Sequence, residues 1–366
     1  MFYDLGPGGT PGGGRAGVFR GSRRRTTPSQ RWATRTLTTV ACALTLTGTL
    51  VTAIGVAPAS ARSAARSTSS ASTSARHHPR PKGYTHPADN SISSACQPTV
   101  PKPCPKTNNV WSGYVLTPTP GHTFTSVSGN WTQTSATCPQ SDAWALFWVG
   151  LDGWSSFDSQ TVEQGGTSAQ CVDGTPIAYY AWWEMYPTNS VEQSYPIRVG
   201  DHISSSVVHS AADATYTITV NDVTSGDSLV VVSALSSAAV NPNTYTVTTI
   251  EGGVTTVDGP TSYAPSQVCN VGMPCQNTSA EWVVEAPGGN NGGAGSLYPL
   301  AHFRRITFTG ANAVDNLGNS GSITDPSTWS DSRVFLTSTS GKYLANVTGL
   351  KKSGTQFRDI WDRYQG

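Results

Sequence analysis

Short runs of β-branched and aromatic residues, separated by turn residues, fill the sequence from about residue 108 onward. Such alternation is typical of β-strands joined by tight turns. About a dozen strands with almost no helical pattern predict an all-β fold, either an antiparallel sandwich or a barrel. A helical turn is expected only at Phe357–Tyr364. The predicted strands are Val110–Thr117, Thr123–Trp131, Ala143–Leu151, Ile177–Tyr186, Ile197–His209, Ala214–Asn221, Ser228–Ala234, Tyr245–Ile250, Glu281–Glu285, Phe303–Phe308, Val334–Thr339 and Lys342–Val347.

Charge is scarce and unevenly distributed. Charged residues make up 12% of the 366-residue chain, against about 25% in typical soluble domains. This argues against coiled coils, helical solenoids and nucleic-acid-binding arms. Residues 1–61 carry seven Arg and one Asp, residues 62–107 seven Lys or Arg and one Asp, and residues 108–366 nine Lys or Arg and 20 Asp or Glu. The region with strand pattern is therefore acidic, and no nucleic-acid partner is expected.

The first 61 residues have the pattern of a secretory signal peptide with a long basic n-region. The uncharged stretch Leu37–Ser60 follows Arg31 and Arg35 and ends in an A-x-A cleavage site, Ala59–Ala61. A membrane anchor is the alternative, because about 20 apolar-to-neutral residues suffice to span a bilayer. We expect a secreted, extracellular protein without stable membrane association after signal cleavage.

Residues 62–107 differ in composition from both neighbours. They are rich in Ser, Ala, Thr, Arg and Pro without apolar periodicity, which predicts a disordered linker or a propeptide. A basic propeptide would dock onto an acidic domain near neutral pH and detach in acid. The folded domain is placed at residues 108–366.

Six cysteines follow the signal segment, an even number in an exported chain. Disulfides are therefore expected. The close pairs Cys96/Cys104 and Cys269/Cys275 suggest local loops, but the spacing does not fix the connectivity. Without C-x-x-C, H-E-x-x-H or clustered His, we expect no metal and no cofactor. The Gly-rich run 288–293 is interpreted as a flexible loop.

Three predicted strands carry aromatic or acidic side chains on the face opposite their core residues. Alternate residues of a strand point to the same side, so each set shares one face. A carboxylate flanked by aromatic rings is typical of a ligand groove. A partly covered outer sheet face with an incidental Glu is the alternative. The aromatic and acidic side chains assigned to this face are Trp144, Trp148, Asp152, Tyr180, Trp182, Glu184, Tyr186, Glu281 and Glu285.

Several catalytic classes lack their motifs. The folded region has no G-x-S-x-G and no Asp-Thr/Ser-Gly triplet, which argues against a serine triad and a pepsin-type pair. Carboxylates with aromatic residues fit glycoside hydrolysis, with Glu184 and Glu285 as the acid and nucleophile. They also fit a non-catalytic carbohydrate-binding sandwich, or peptide hydrolysis by one carboxylate and a neutral hydrogen-bonding partner.

Four motifs, in order, resemble those of the glutamic peptidases, or eqolisins. Trp148–Gly153, Thr161–Gly166, Ala181–Pro187 and Ala280–Glu285 resemble the family motifs WVGIDG, LQTG, YEWYP and AEFIIE. The resemblance implies a concanavalin-A-like β-sandwich of two packed, curved antiparallel sheets. It also implies an acid endopeptidase that acts on proteins or peptides, and we expect a monomer.

The resemblance places the catalytic pair on Gln164 and Glu285. Groove residues fall on Trp148, Trp182, Glu184 and Tyr186, and the face analysis adds Asp152 as a substrate-binding residue. In such a pair the ionised Glu activates a water while the Gln amide stabilises the oxyanion. Gln does not titrate, so the pair needs only one ionised carboxylate. Because a Glu side chain has a reference pKa of about 4.3, an acid pH optimum is expected. Glu184 is kept as an alternative principal acid, and Glu163 and Glu281 are interpreted as bystanders.

This sequence departs from the family motifs at three positions. Gly165 replaces the Thr after the Gln, Met185 replaces an aromatic residue, and Ala286 replaces the acidic residue after the final Glu. These changes concern the subsites more than the reaction.

Overall fold

The computed structural model describes residues 93–94, 105–138, 142–154, 161–235, 243–262, 269, 275–288, 297–325 and 327–362. All of them belong to one compact unit, Ala75–Gly366. The predicted signal peptide, most of residues 62–107 and the pair Cys96/Cys104 lie outside the described residues. Within the described part, no helix is long and apolar enough to cross a membrane.

The described residues form 19 strands and no α-helix, which confirms the all-β prediction. In chain order they are β1 Ser93–Ser94, β2 Lys106–Asn108, β3 Trp111–Pro118, β4 Phe124–Thr132, β5 Ala143–Leu151, β6 Val162–Val172, β7 Thr175–Tyr186, β8 Val191–Pro196, β9 His202–Ser210, β10 Thr215–Asp222, β11 Ser228–Ala234, β12 Thr244–Glu251, β13 Val254–Ser262, β14 Ala280–Glu285, β15 Arg305–Asp315, β16 Ser320–Gly321, β17 Trp329–Thr337, β18 Tyr343–Val347 and β19 Phe357–Trp361.

The strands pair in two sheets. The first has the antiparallel order β8-β7-β6-β5-β14-β3-β17. Beyond β17 it continues through β18 and β19, and β2 joins β17 in parallel. The second has the antiparallel order β16-β15-β4-β9-β10-β11-β12-β13. β15 pairs with β19 through Arg305–Phe308 and with β4 from Thr309 onward, so this one strand joins both sheets.

The hydrophobic core lies between the sheets. Phe147 of β5, Trp183 of β7 and Trp282 of β14 are at most 1% exposed and point toward Val207 of β9 and Ile218 of β10. Burial of a large apolar side chain contributes about 1.5–3 kcal/mol, so this layer is the main source of stability. Two packed sheets that do not close into a barrel confirm the predicted sandwich.

β6 was not predicted as a strand. Glycine is depleted in strands, and Gly165 and Gly166 hide the pattern. A Cβ on Gly165 would lie 2.5 Å from Cγ2 of Ile218 in the second sheet, and one on Gly166 would collide with the Phe147 carbonyl of β5. The strand therefore needs glycine on both faces, which also explains why Gly165 cannot carry the Thr of the family motif.

Other differences from the sequence analysis are local. The predicted helical turn at Phe357–Tyr364 is wrong, because Phe357–Trp361 forms β19 with Phe357 and Asp359 buried. The predicted strand Ile197–His209 begins too early, because β9 starts at His202. β1 and β2 lie within or at the end of residues 62–107.

Two disulfides lie in the described part of the chain. Cys269–Cys275 closes the local loop suggested by the spacing. Cys138–Cys171 ties the segment before β5 to the end of β6. The second pairing was not predicted.

Candidate active site

The outer face of the first sheet, which points away from the second sheet, collects the predicted site residues. Trp148 of β5 and Trp182 of β7 belong to an apolar cluster on this face that is separate from the core. Alternation places Gln164 of β6, Glu184 of β7 and Glu285 of β14 on the same side. All five side chains are at most 1% exposed.

Gln164 is held by Glu184. The two residues lie directly opposite each other in the β6–β7 register, and Gln164 Nε2 donates a hydrogen bond of 2.9 Å to Glu184 Oε2. This bond fixes which way the carboxamide points. A Gln amide nitrogen has two N–H donors, and this bond uses one of them.

Glu285 is held by Trp148. It is the last residue of β14, and its Oε2 accepts a hydrogen bond of 2.8 Å from Trp148 Nε1. The opposite edge of the Trp148 indole lies near Gln164. A Cβ on Gly150 would lie 2.9 Å from Trp148 Cζ3 and 3.2 Å from Gln164 Cβ. One tryptophan ring therefore lies between the carboxyl group of Glu285 and the strand position of Gln164.

Trp182 and Tyr186 line the β7 side of this face. Trp182 lies opposite Gly166 and Tyr186 opposite Val162 in the β6–β7 register. Among the described residues, Trp182 Nε1 has no hydrogen-bond partner although the side chain is buried. Buried donors are normally paired, so this N–H suits a substrate carbonyl. Tyr186 is half-buried and packs against the same cluster.

Asp152, predicted to bind substrate, holds the backbone before β14. Its carboxylate is fully buried and accepts hydrogen bonds from the backbone N–H groups of Gln276, Asn277 and Thr278, at 2.9, 2.8 and 2.7 Å. These residues immediately precede β14. Asp152 therefore anchors the segment that leads to Glu281 and Glu285.

Asn277, in that anchored segment, is itself buried. It has a positive φ of 55°, and its Oδ1 accepts a hydrogen bond of 2.7 Å from the Tyr216 hydroxyl. Its Nδ2 lies 3.0 Å from Nδ1 of His209. The segment before β14 is thus fixed to both sheets.

Glu163 points to the opposite side from its neighbour Gln164. It is fully buried, and its Oε1 lies 2.8 Å from Cys275 Sγ and 3.6 Å from Cys269 Sγ. Burial, together with the negative charge of Asp152, raises the pKa of Glu163 well above its usual value. The three side chains have metal-ligand spacing, but the disulfide engages both sulfurs, and a metal requires thiolates.

Glu281 is a second acidic residue of β14 on the outer face. It lies in register with Gly150, which in turn is in register with Gln164. Ser279 Oγ donates a hydrogen bond of 3.0 Å to its Oε1. The sequence suggests a bystander role for Glu281, whereas the register aligns its carboxyl group with Gln164.

The sequence profile of the Peptidase A4 family matches residues 109–355, about two thirds of the chain. The chain belongs to the Peptidase A4 family. It is therefore a glutamic-type peptidase, a hydrolase, as the four motifs indicated. This match favours a peptidase over the glycoside hydrolase and the carbohydrate-binding sandwich.

Solved structures of glutamic peptidases are similar to this A4 peptidase. Scytalido-glutamic peptidase with a transition state analog inhibitor has 21% identity and a TM-score of 0.49, covering 70% of this chain and 99% of that chain. SCP-B, an eqolisin in complex with the tripeptide Ala-Ile-His, has 20% identity and a TM-score of 0.46, with the same coverage. Aspergilloglutamic peptidase from Aspergillus niger has 23% identity and a TM-score of 0.41, covering 60% and 99%. A search of the curated proteins found no match.

Proposed function

We propose that this glutamic peptidase is a secreted acid endopeptidase whose catalytic pair is Gln164 and Glu285. The motifs carry this assignment, and both side chains lie on one sheet face, each oriented by a second groove residue. Glu184 holds Gln164 at 2.9 Å, and Trp148 holds Glu285 at 2.8 Å. Preorganised groups of this kind avoid reorganisation during the reaction. The register places Glu285 four residues along β5 from the row of Gln164, about 14 Å, and places Glu281 in that row. Glu281 is therefore the second candidate for the base.

The two side chains have complementary roles. The ionised carboxylate of β14, Glu285 or Glu281, takes a proton from the attacking water and returns it to the leaving amine. The carboxamide of Gln164 donates an N–H to the oxyanion that forms on the scissile carbonyl. Trp148 donates a hydrogen bond to one carboxylate oxygen of Glu285. A carboxylate has several lone pairs, so this bond still allows Glu285 to accept a proton.

The pair is suited to acid. The reference pKa of a Glu side chain is about 4.3, whereas a His base has a reference pKa of about 6.5 and is protonated in acid. The carboxamide of Gln164 does not titrate. Activity therefore requires one ionised carboxylate, and we expect the optimum on the acid side of neutrality.

Secretion follows from the signal-peptide pattern of residues 1–61, and we propose a monomer with protein or peptide substrates. The basic segment 62–107 is proposed to be a propeptide that keeps the acidic domain latent near neutral pH. Equal activity at pH 7 with and without this segment would favour the linker instead.

The test measures casein cleavage at about pH 4, near the carboxyl pKa range, in the presence of pepstatin and EDTA. Gln164→Ala is expected to lose about 10²–10³-fold in kcat, the usual effect of removing one oxyanion donor. Glu285→Gln is expected to lose at least as much. Gln170→Ala on the same strand and Glu251→Gln at the end of β12 serve as matched controls.

Three outcomes separate the alternatives. Near-full activity of Gln164→Ala contradicts the pair. If Glu281→Gln is inactive and Glu285→Gln active, the base is the carboxylate in register with Gln164. If Glu184→Gln abolishes activity and Glu285→Gln does not, Glu184 is the principal acid. Thermal unfolding of every variant checks that it is folded.

A further inference from the structure

The chain turns back over the outer face directly after β5. Asp152 and Gly153 have consecutive positive φ values of 63° and 103°, which makes a sharp turn. A Cβ on Gly153 would lie 2.7 Å from Cγ2 of Val162 and 3.7 Å from Oε2 of Glu281. Glu281 lies on the outer face and Val162 belongs to its apolar cluster, so the turn runs across the groove side of the sheet.

Trp154, the next residue, reaches a distant row of that face. Leu151 ends β5 opposite Ala280, whereas Trp111 of β3 lies opposite Glu285, five residues further along β14. That is about 17 Å along a strand. The rings of Trp154 and Trp111 nevertheless pack with their centroids 5.5 Å apart. Trp154 therefore folds back toward the Glu285 end of the groove.

This pair stands beside Glu285. Directly opposite residues on one sheet face have Cβ atoms about 5 Å apart, which places Trp111 next to Glu285. Trp154 is half-buried and Trp111 is 6% exposed, so Trp154 is the ring that a substrate can reach. The β7 side of the groove carries Trp182 and Tyr186, and Trp154 supplies an apolar wall on the β3 side.

We propose that Trp154, supported by Trp111, forms a substrate subsite that selects a large apolar or aromatic side chain next to the scissile bond. The inference rests on the proposed function of Glu285. Aromatic rings give such a side chain a large apolar contact with a preferred stacked or edge-on geometry. A small substrate side chain would not make this contact, and a polar one would lose its hydration without gaining a hydrogen-bond partner.

The test uses a peptide library digested at about pH 4, near the carboxyl pKa range, followed by paired peptides with Phe or Ala at the enriched position. Wild type is expected to enrich Phe, Trp or Leu on one side of the cleaved bond. Trp154→Ala should reduce the Phe-over-Ala ratio of kcat/KM about 10-fold or more, in the range of apolar-pocket discrimination. Trp154→Phe should retain most of the ratio.

Tyr343→Ala is the matched control. Tyr343 is also a half-buried member of an aromatic pair, with its centroid 5.7 Å from Phe335, and we expect an unchanged ratio. The subsite is overturned if wild type enriches no apolar residue, or if Trp154→Ala slows both peptides equally. If Trp154→Ala does not fold, Trp154→Phe and Trp154→Leu are compared instead. An unchanged Phe-over-Ala ratio of kcat/KM in both variants overturns the subsite. An active Gln164→Ala variant would contradict the catalytic pair and leave this selectivity result standing.

Discussion

Glu163 and Gln164 are neighbours in β6, yet they belong to two different environments. Glu163 points inward, beside Asp152 and the disulfide sulfurs. Gln164 points outward and is held by Glu184. On the inner face burial and the charge of Asp152 raise the pKa of Glu163, whereas on the outer face polar groups orient one another. A single strand thus contributes to both the core side and the groove side of the sheet, because alternate residues point to opposite faces.

The largest expected difference between the two faces concerns aromatic residues. Trp282→Ala on the inner face should cost about 3–5 kcal/mol in the free energy of unfolding, because a fully buried ring leaves a cavity. Tyr186→Ala on the outer face should cost roughly 1 kcal/mol and raise KM. Urea unfolding and steady-state kinetics measure the two effects. An equal loss of stability would mean that the outer face is also structural core.

The second difference concerns pH. Because the folded-state pKa of Glu163 is raised, its contribution to stability is fully present below the ordinary Glu value and is lost as pH rises toward the raised value. Wild type should therefore lose stability from about pH 4.5 upward. Glu163→Gln should weaken this dependence and keep acid activity. Urea midpoints from pH 3 to 8, a range spanning the carboxyl and His reference values, measure it.

Asp359 provides a comparison within the same experiment. Its burial raises its pKa to about 8, against a hydrogen bond from Ser112 that acts in the opposite direction. Asp359→Asn should remove a separate part of the loss of stability with rising pH, which extends to about pH 8. If neither variant changes the slope, the buried carboxyl groups do not govern the response to alkali.

The last expected effect lies in the second sheet, and its pH dependence has the opposite sign. Burial alone would raise the pKa of Asp315, but hydrogen bonds from Asn319, His122 and the Leu317 amide lower it to about 2. Its stabilisation is present above about pH 4 and is lost as pH falls toward 2. Asp315→Asn should cost about 1–2 kcal/mol at pH 6, after allowing for screening, and little at pH 2. An equal cost at both values would show that charge is not involved.

Strands with alternating apolar residues could be predicted from the sequence, and the faces of β5, β7 and β14 followed from them. β6 could not, because Gly165 and Gly166 serve contacts with strands far away in the sequence. The motifs predict Gln164 and Glu285 as the catalytic pair, but they do not show that Gln164 bonds to Glu184 and Trp148 to Glu285. The bonds from Asp152 to the backbone before β14 could not be predicted, because the face argument assumed that the strand continued, whereas the chain turns there with a positive φ.

The burial of Asn277 has a practical consequence for producing this enzyme. Asn277-Thr278-Ser279 is an acceptor sequence for N-linked glycans, and the sugar would attach to the nitrogen that faces His209. A eukaryotic secretory host that modified this site before folding would leave an oligosaccharide where the chain must close onto Tyr216. Material expressed in yeast should therefore be inspected by mass spectrometry for occupancy at this asparagine, and a bacterial host avoids the conflict.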